Sequence, residues 1–422
     1  MRLLLFFLTL SMGLGATPLK LNVSAKSAIL INADTGAILY EKAAHDRVFP
    51  ASITKIATCL YALKNQEDID EVISCPSHCL RKMNKSVKVA HGYKDPAYLL
   101  EPDGTHFWIK RGEELPFRDL LYGLMLASGN DAANFIAHHV GGSIPKFMKG
   151  MNVYLKNLGC VDTHFCNPHG LHHPHHMTTA YDIALITKEA LKYESIRTIA
   201  GTNEYERSAT NLQAAKTVQQ NNMLIQPGKF FYPRAIGMKT GYTSDAGYNL
   251  TSVAKEGGRT LIAVLLGCGD SHSRYKDAIR LFDTAFEQEK EHRLLFNKEE
   301  NIFSRHIPKA KHSLQAVLKE DVSLSYYPAE EPDITIELNW EHLNPPVMQG
   351  SYVGALKVLT SKGDTLESIP LIAMQNVERS FYAIIGDGFK GEWKAPTELL
   401  TSLGVFLALG VFLSIYGIYR MY

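Results

Sequence analysis

Apolar positions change their period along this chain, and each change marks a different kind of element. Ser27–Asn32 (SAILIN) and Ala37–Glu41 (AILYE) are short apolar runs on either side of Ala33-Asp34-Thr35-Gly36, which predicts a β-hairpin. Over Ile53–Leu63, Phe117–Ala127 and Asp131–Val140 the apolar residues fall at helical spacing. Ile144, Phe147, Met148, Met151, Leu155 and Leu158 continue that period to Gly159. Thr179-Ala-Tyr-Asp182 has the form of a capping box ahead of IALITKEALK. After residue 230 the period becomes that of strands. AIGMKTG, YNLTSVA and TLIAVLLGC read as strands, the last two joined by Lys255-Glu-Gly-Gly-Arg259, and Tyr275–Phe286 is again helical. Strands at both ends with helices between them predict an α+β domain over residues 24–287, an antiparallel sheet flanked by helices.

Beyond it the pattern is all-β. ITIEL (334–338), YVGALKVLT (352–360) and IPLIAM (369–374) are short strands with turn signals such as Lys362-Gly363-Asp364, so residues 288–396 are expected to form a small β-rich domain. Residues 65–111, rich in Lys, His, Gly and Pro, read as loop with short strands, and no internal repeat is visible. The two ends differ from the rest. Met1-Arg2, the apolar run LLLFFLTLSMGLG (3–15) and Ala16-Thr17 have the layout of a secretory signal, assigned to residues 1–16. LLTSLGVFLALGVFLSIYGIY (399–419) carries no charge over a length close to the roughly 20 residues that span a bilayer, so a C-terminal transmembrane helix is expected. Together these imply an exported body held on the outer face of a membrane, with lipid as a partner of the C-terminal helix.

Composition narrows function only by exclusion. The chain has 422 residues, 45% apolar and 21% charged, and its 44 Lys and Arg nearly balance its 43 Asp and Glu. No basic stripe points to nucleic acid, and none is expected as a partner. Of the six cysteines, Cys59 and Cys268 lie in apolar helix and strand patterns and read as core thiols. Cys75/Cys79 and Cys160/Cys166 leave local pairing open.

Candidate chemistry begins with the tetrapeptide Ser-x-x-Lys, which occurs three times. Ser143–Lys146 contains Pro145 at a helix entry, where the serine reads as a cap. Ser252–Lys255 lies on a strand, so its two side chains point to opposite faces. Ser52–Lys55 stands at the start of a helix, where residues three apart share a face and the helix N-terminus favours developing negative charge. Ser128-Gly129-Asn130 follows in a turn between helices, and Lys239-Thr240-Gly241 at a strand. Each triplet alone is a weak signal, but the ordered set on a helix, a loop and a strand is specific.

With those motifs the chain resembles the serine D-alanyl-D-alanine carboxypeptidases, the low-molecular-weight penicillin-binding proteins of the peptidase S11 type. The likeness extends to PASITKIAT, LLYGLMLASGNDAANFIA, MNVYLKNLGCVDTHFCNPHGL and GMKTGYTSDAGYNL, and covers about residues 27–285. It implies the penicillin-binding protein/β-lactamase-like transpeptidase fold, with removal of the terminal D-alanine from peptidoglycan stem peptides through an acyl-enzyme, and inhibition by β-lactams. It also implies a bacterial inner membrane location with the catalytic domain on the outer face. In that reading Ser52 is the nucleophile, Lys55 its base and Ser128 a proton relay. Asn130 holds the substrate amide, Lys239 and Thr240 meet the substrate carboxylate, and Gly241 admits close backbone approach. The N–H groups of Ser52 and Tyr242 form the oxyanion hole. No cofactor and no metal are implied.

Departures and rival readings accompany the resemblance. Some family members carry an arginine in the segment matching Gln219-Gln220-Asn221, where this chain has Gln220, which throws carboxylate recognition onto Lys239 and Thr240. His164, His169, His172, His173, His175 and His176 raise the possibility of a zinc peptidase, but no His-Glu-x-x-His occurs and Pro168 and Pro174 interrupt helical spacing, so they read as a solvated loop. A β-lactamase or DD-endopeptidase on the same fold, or a membrane-tethered scaffold without turnover, are the alternatives. The absence of Glu-x-x-Leu-Asn between Ser128 and Lys239 weighs against the first, and the intact serine, lysines and asparagine against the last.

Overall fold

The structure, a computed structural model, describes residues 10–12 and 15–383. These fall into two compact units. Of the described residues, one unit holds 15–293 together with Ser325–Asp333, and the other holds Leu10–Met12, Leu294–Leu324 and 334–383.

The first unit is built on five antiparallel strands: β1 (Ser27–Asn32), β2 (Ile38–Lys42), β3 (Ala235–Thr243), β4 (Gly247–Glu256) and β5 (Arg259–Cys268). Their order is β2-β1-β5-β4-β3, so the first hairpin of the chain joins a late meander along β5. Between the two groups run α1 (Thr54–Asn65), α2 (Lys85–Ala90), α3 (Phe117–Met125), α4 (Asn130–Gly141), α5 (Ile144–Asn157), α6 (Ala180–Ala190) and α7 (Glu194–Gly201). The helix α8 (Ser273–Phe286) follows the sheet.

Alternation along the central strand explains the layering. Ile262, Val264 and Leu266 of β5 belong to a large buried cluster with α1 and α3–α7. Leu261, Ala263 and Leu265 face the opposite way, into a second cluster with Tyr275, Ala278, Leu281 and Phe282 of α8. β5 is therefore buried along nearly its whole length, which is why its sequence reads as one apolar run and not as an alternating one. Local signals set the helix starts. Ser143 accepts from the Lys146 N–H at the entry of α5, and Thr179 accepts from the Asp182 N–H at the entry of α6.

The second unit is a six-stranded antiparallel sheet. In order across it lie Leu10–Met12, Ile334–Trp340, Tyr352–Thr360, Thr365–Ala373, Leu314–Leu318 and Ile302–Arg305.

One expectation about the ends needs correction. Within the expected signal, Leu10–Met12 pair antiparallel with Ile334–Ile336 as an edge strand. Residues 1–9 and 13–14 lie outside the described residues. The α+β fold with its all-β module stands, but the transmembrane part of the fold class does not. Among the described residues no helix is long and apolar enough to cross a membrane. The longest have 14 residues, about 21 Å at 1.5 Å per residue, against a hydrocarbon core of about 30 Å. The expected anchor at 399–419 lies outside the described residues, so no described element carries the lipid contact or membrane attachment assigned to it.

Candidate active site

Ser52 sits in a single 3-10 turn, Ala51–Ile53, that runs directly into α1. Lys55, three residues on, is 0% exposed. Its Nζ lies 2.9 Å from Ser52 Oγ, 2.7 Å from Asn130 Oδ1 and 2.7 Å from the His169 carbonyl oxygen. Counting partners decides what this geometry can do. A neutral amine has two N–H donors and one lone pair, whereas an ammonium has three donors and no lone pair. The two oxygens that can only accept take two donors, so a neutral amine is left with its lone pair toward the serine hydroxyl. Burial first, then the charge of Lys239, push the Lys55 amine well below its ordinary value, with Asp131 opposing. The serine O–H can then donate to Nζ, which is the starting arrangement of a nucleophile and its base.

The turn that carries Ser52 is fixed from below. Thr54 Oγ1 donates to the Ala51 carbonyl at 2.9 Å and lies 2.8 Å from His176 Nε2. The Cys166 N–H donates to His176 Nδ1 at 3.0 Å, so the ring proton sits on Nε2 and is donated to Thr54. Burial lowers the His176 imidazole to about 3 and keeps it neutral. Asn167 organises the adjoining loop. Its Oδ1 accepts from Gly170 N at 2.7 Å and its Nδ2 donates to the Leu171 carbonyl at 2.9 Å. Gly170 has φ +89°, and a Cβ there would fall 1.9 Å from the Ala51 oxygen, so no side chain fits under the nucleophile's turn. The reading of the histidine segment as a solvated loop holds for the exposed His164 and His175 and is corrected for two others. His169 and His176 are fully buried, and their ring nitrogens are engaged by backbone groups and Thr54.

Ser128 lies in the turn before α4, buried and in the left-handed region at φ 59°, a backbone state rare for serine. Gly129 N donates to the Gly123 carbonyl and Asn130 N to the Thr105 carbonyl, each at 2.9 Å. The carboxylate of Asp131 accepts from the N–H groups of Phe107 (2.7 Å), Ile109 (3.0 Å) and Ala132 (3.0 Å), which straps the preceding loop to the start of α4. Asn130 is thereby aimed at Lys55.

β3 forms the opposite wall. A register shift between Ala235 and Gly237 precedes Met238 at φ 120°, and this irregularity turns Lys239 inward. Lys239 is 1% exposed, and its Nζ donates to the Thr240 carbonyl at 3.0 Å. Burial first, then Arg274, lower it to about 7. Gly241 meets the nucleophile's turn directly, since a Cβ on it would lie 2.9 Å from Ser52 N. Tyr242, half exposed, stacks on Tyr248 with ring centroids 4.3 Å apart.

The structure thus brings Ser52, Lys55, Asn130 and Gly241 into direct apposition, with Lys239, Thr240 and Tyr242 along the same strand and Ser128 at the turn leading to Asn130. Positioning residues absent from the sequence reading also emerge. Asn249, opposite Gly241, donates to the Phe49 and Pro50 carbonyls at 3.0 and 2.9 Å and accepts from Gly267 N at 2.7 Å, so it fastens the approach to Ser52 onto the sheet. Arg274 of α8 donates to the Asn249 carbonyl at 3.0 Å and the Gly241 carbonyl at 3.3 Å. Gln220 faces inward, donating to the Ala200 carbonyl and accepting from Asn221 and Asn222 N–H groups. The cation that supports β3 comes from α8, not from the 219–221 segment. The two other Ser-x-x-Lys copies are elsewhere: Ser143 caps α5, and Ser252 lies buried on β4 while Lys255 is exposed.

A helix-borne serine and buried lysine, a loop asparagine and an inward-turned strand lysine form an arrangement suited to acyl transfer through a serine. Comparison with known proteins assigns the family. Residues 15–269 match the family described as D-alanyl-D-alanine carboxypeptidase, and residues 291–379 match that described as Penicillin-binding protein 5, C-terminal domain. The chain is 32% identical over 373 residues to D-alanyl-D-alanine carboxypeptidase DacF of Bacillus subtilis (strain 168), covering 87% of this chain and 90% of the relative. Among solved structures it resembles the D-alanyl-D-alanine carboxypeptidase DacD from Francisella tularensis, with TM-score 0.56, 25% identity, and 86% and 96% of the two chains covered. The Streptomyces K15 DD-transpeptidase superposes with TM-score 0.55 at 28% identity, over 64% of this chain and 99% of the other. This chain belongs to the D-alanyl-D-alanine carboxypeptidase family and is a serine-type hydrolase acting on D-Ala-D-Ala ends.

Proposed function

We infer that Ser52 is the acylated residue and that residues 24–287 form the catalytic domain, with 288–396 as a separate β-rich module. The observation that carries this is the partner count at Lys55, whose lone pair has one acidic neighbour, the Ser52 hydroxyl. Ser52 Oγ attacks the carbonyl carbon of the penultimate D-alanine while Lys55 Nζ takes the hydroxyl proton. The carbonyl oxygen becomes an oxyanion between the N–H groups of Ser52 and Tyr242. Collapse expels the terminal D-alanine, whose amine receives, through Ser128, the proton that Lys55 took from Ser52. Water then attacks the ester and gives its proton to Lys55, which returns it to Ser52 Oγ as the shortened peptide leaves. Asn130 orients the substrate amide, Lys239 and Thr240 hold the free carboxylate, and Gly241 allows the chain to lie against the nucleophile. A β-lactam enters the same path but leaves its amine tethered, so the ester persists.

The substrate is a wall peptide found outside the cytoplasm, so this reading includes export. The basic start, the apolar run to Gly15 and the small residues that follow support it.

The test uses a pentapeptide ending in D-Ala-D-Ala and its C-terminal amide. Release of one D-alanine from the acid, with the amide cleaved far more slowly, is the expected result. Equal cleavage of both would mean that the carboxylate is not read and would favour an endopeptidase acting on internal bonds.

A further inference from the structure

Outside the cleft, one cluster has the donor set of a metal centre. His78 and Cys79 lie in the 3-10 turn Ser77–Leu80, and His138 lies near the end of α4. His78 Nε2 is 3.1 Å from His138 Nδ1, with the rings edge to face and their centroids 4.4 Å apart. Cys79 Sγ and both nitrogens lie within 4.8 Å of one another. We propose that these three side chains bind one zinc-like divalent ion that ties the Ser77–Leu80 turn to α4.

The two nitrogens, 3.1 Å apart, already stand close to the spacing of a tetrahedral ion, and Cys79 Sγ, within 4.8 Å of them, has to close in. Bonds of about 2.0–2.1 Å to nitrogen and 2.3 Å to sulfur place nitrogens about 3.3 Å apart and sulfur about 3.6 Å from each nitrogen. Imidazole and thiolate together select zinc-like ions over magnesium or calcium, which prefer oxygen. The neighbouring main chain is already fastened: Asn134, one turn before His138 on α4, donates to the Cys79 carbonyl at 3.0 Å and to the Tyr98 carbonyl at 2.9 Å. The turn and the helix therefore meet before any ion arrives, and a ligand atom from each side converges on one point. Three protein ligands leave a fourth position for water.

Charge and protons balance simply. The buried Cys79 thiol gives up one proton as its sulfur bonds the metal. The imidazoles bind as neutral rings, His138 through Nδ1 and His78 through Nε2, each keeping its remaining proton on the other ring nitrogen. No electron changes hands.

The consequence is mechanical. α4 begins at Asn130, whose Oδ1 accepts a hydrogen bond from Lys55 Nζ, so an ion at the far end of α4 braces the helix that aims a cleft residue. It contributes no group to the chemistry. Chelation should therefore lower the melting temperature while leaving kcat/KM for D-alanine release at 25 °C unchanged, which separates this proposal from the assignment of Ser52.

The test is a titration of the reduced full chain with Co2+, followed in the near ultraviolet, and with Zn2+ by calorimetry. One equivalent should bind with a thiolate-to-cobalt charge-transfer band, and zinc should raise the melting temperature. Cys79→Ser should abolish the band, and His78→Asn, a change at an exposed position, should weaken binding at least tenfold. Cys75→Ala should change neither. Absence of the thiolate band, undiminished binding in Cys79→Ser and His78→Asn, or a Cys75–Cys79 disulfide in the protein as isolated would each overturn the proposal.

Discussion

The floor and the wall of the cleft each bury a lysine, and the two amines are held in opposite ways. Lys55, on the floor, has three neighbours within 2.9 Å that fill every direction of its nitrogen. Lys239, on the wall, donates to one carbonyl, that of the next residue. Both are pushed down chiefly by burial, but Lys55 also feels the charge of Lys239, while Lys239 feels that of Arg274. One amine is saturated by the fold and disposed to accept a proton, while the other keeps donors in hand. On the proposed mechanism the same residue type serves as base and as anchor, because partner count differs where burial does not.

The strongest way to break this contrast is to make the floor lysine permanently charged. In Lys55→Arg the guanidinium stays protonated, so acylation by benzylpenicillin should fall by roughly 10²–10⁴-fold, the range of general-base contributions. Stopped-flow rates on a variant shown by circular dichroism to be folded would check this, and a near-normal rate would move the base elsewhere. Next in size is Lys239→Met. Loss of a charge-assisted hydrogen bond of about 1.5–3 kcal/mol predicts a drop of roughly 10–100-fold in kcat/KM for the acid substrate and much less for its amide. The same change removes a positive neighbour from Lys55, so the acid limb of the acylation profile should move to higher pH.

The contrast also has a pH signature. Below about 7 Lys239 is charged in the free enzyme, and as pH rises through that value it loses the proton that a carboxylate needs. For the acid substrate kcat/KM should therefore fall on the alkaline side with a midpoint near 7, and the amide should lack that limb. Bound carboxylate favours the charged amine, so the corresponding limb in kcat should lie higher. Smallest is the effect of Gln220→Ala. Its side chain serves backbone groups and not the cleft, so about 1 kcal/mol of stability should be lost, measured by urea unfolding, with kcat/KM nearly unchanged.

What could be read from the sequence was local. The helix at Thr54–Asn65 answers to good helix formers over 53–63, and a serine three residues before a lysine at its start has to share a face with it. The β3–β5 meander follows from apolar runs and the turn at Gly257-Gly258. Residues that hold the site through distant backbone groups leave no such trace. Asn249 reaches Phe49 and Pro50 across 200 and 199 residues, and the Lys55 contact to the His169 carbonyl spans 114. The histidines of the 164–176 segment looked solvated because polar residues next to prolines usually are, yet His176 is buried where Thr54 and Cys166 satisfy both ring nitrogens. Within 65–111 the turn at Ser77–Leu80 and α2 are too short to show a period. α2 also buries Lys88, which donates to the Leu99 carbonyl and pairs with Glu101 at 3.0 Å, against any apolar pattern.

The central claim is that Ser52 is the residue that forms the ester. Intact-mass spectrometry of the folded protein after benzylpenicillin, beside Ser52→Ala, tests it most directly. The wild type should gain the mass of one whole antibiotic, since ring opening expels nothing, and digestion should place that mass on the peptide containing Ser52. Ser52→Ala should gain none. A full-occupancy adduct in Ser52→Ala, or one mapped to another serine, would contradict the account.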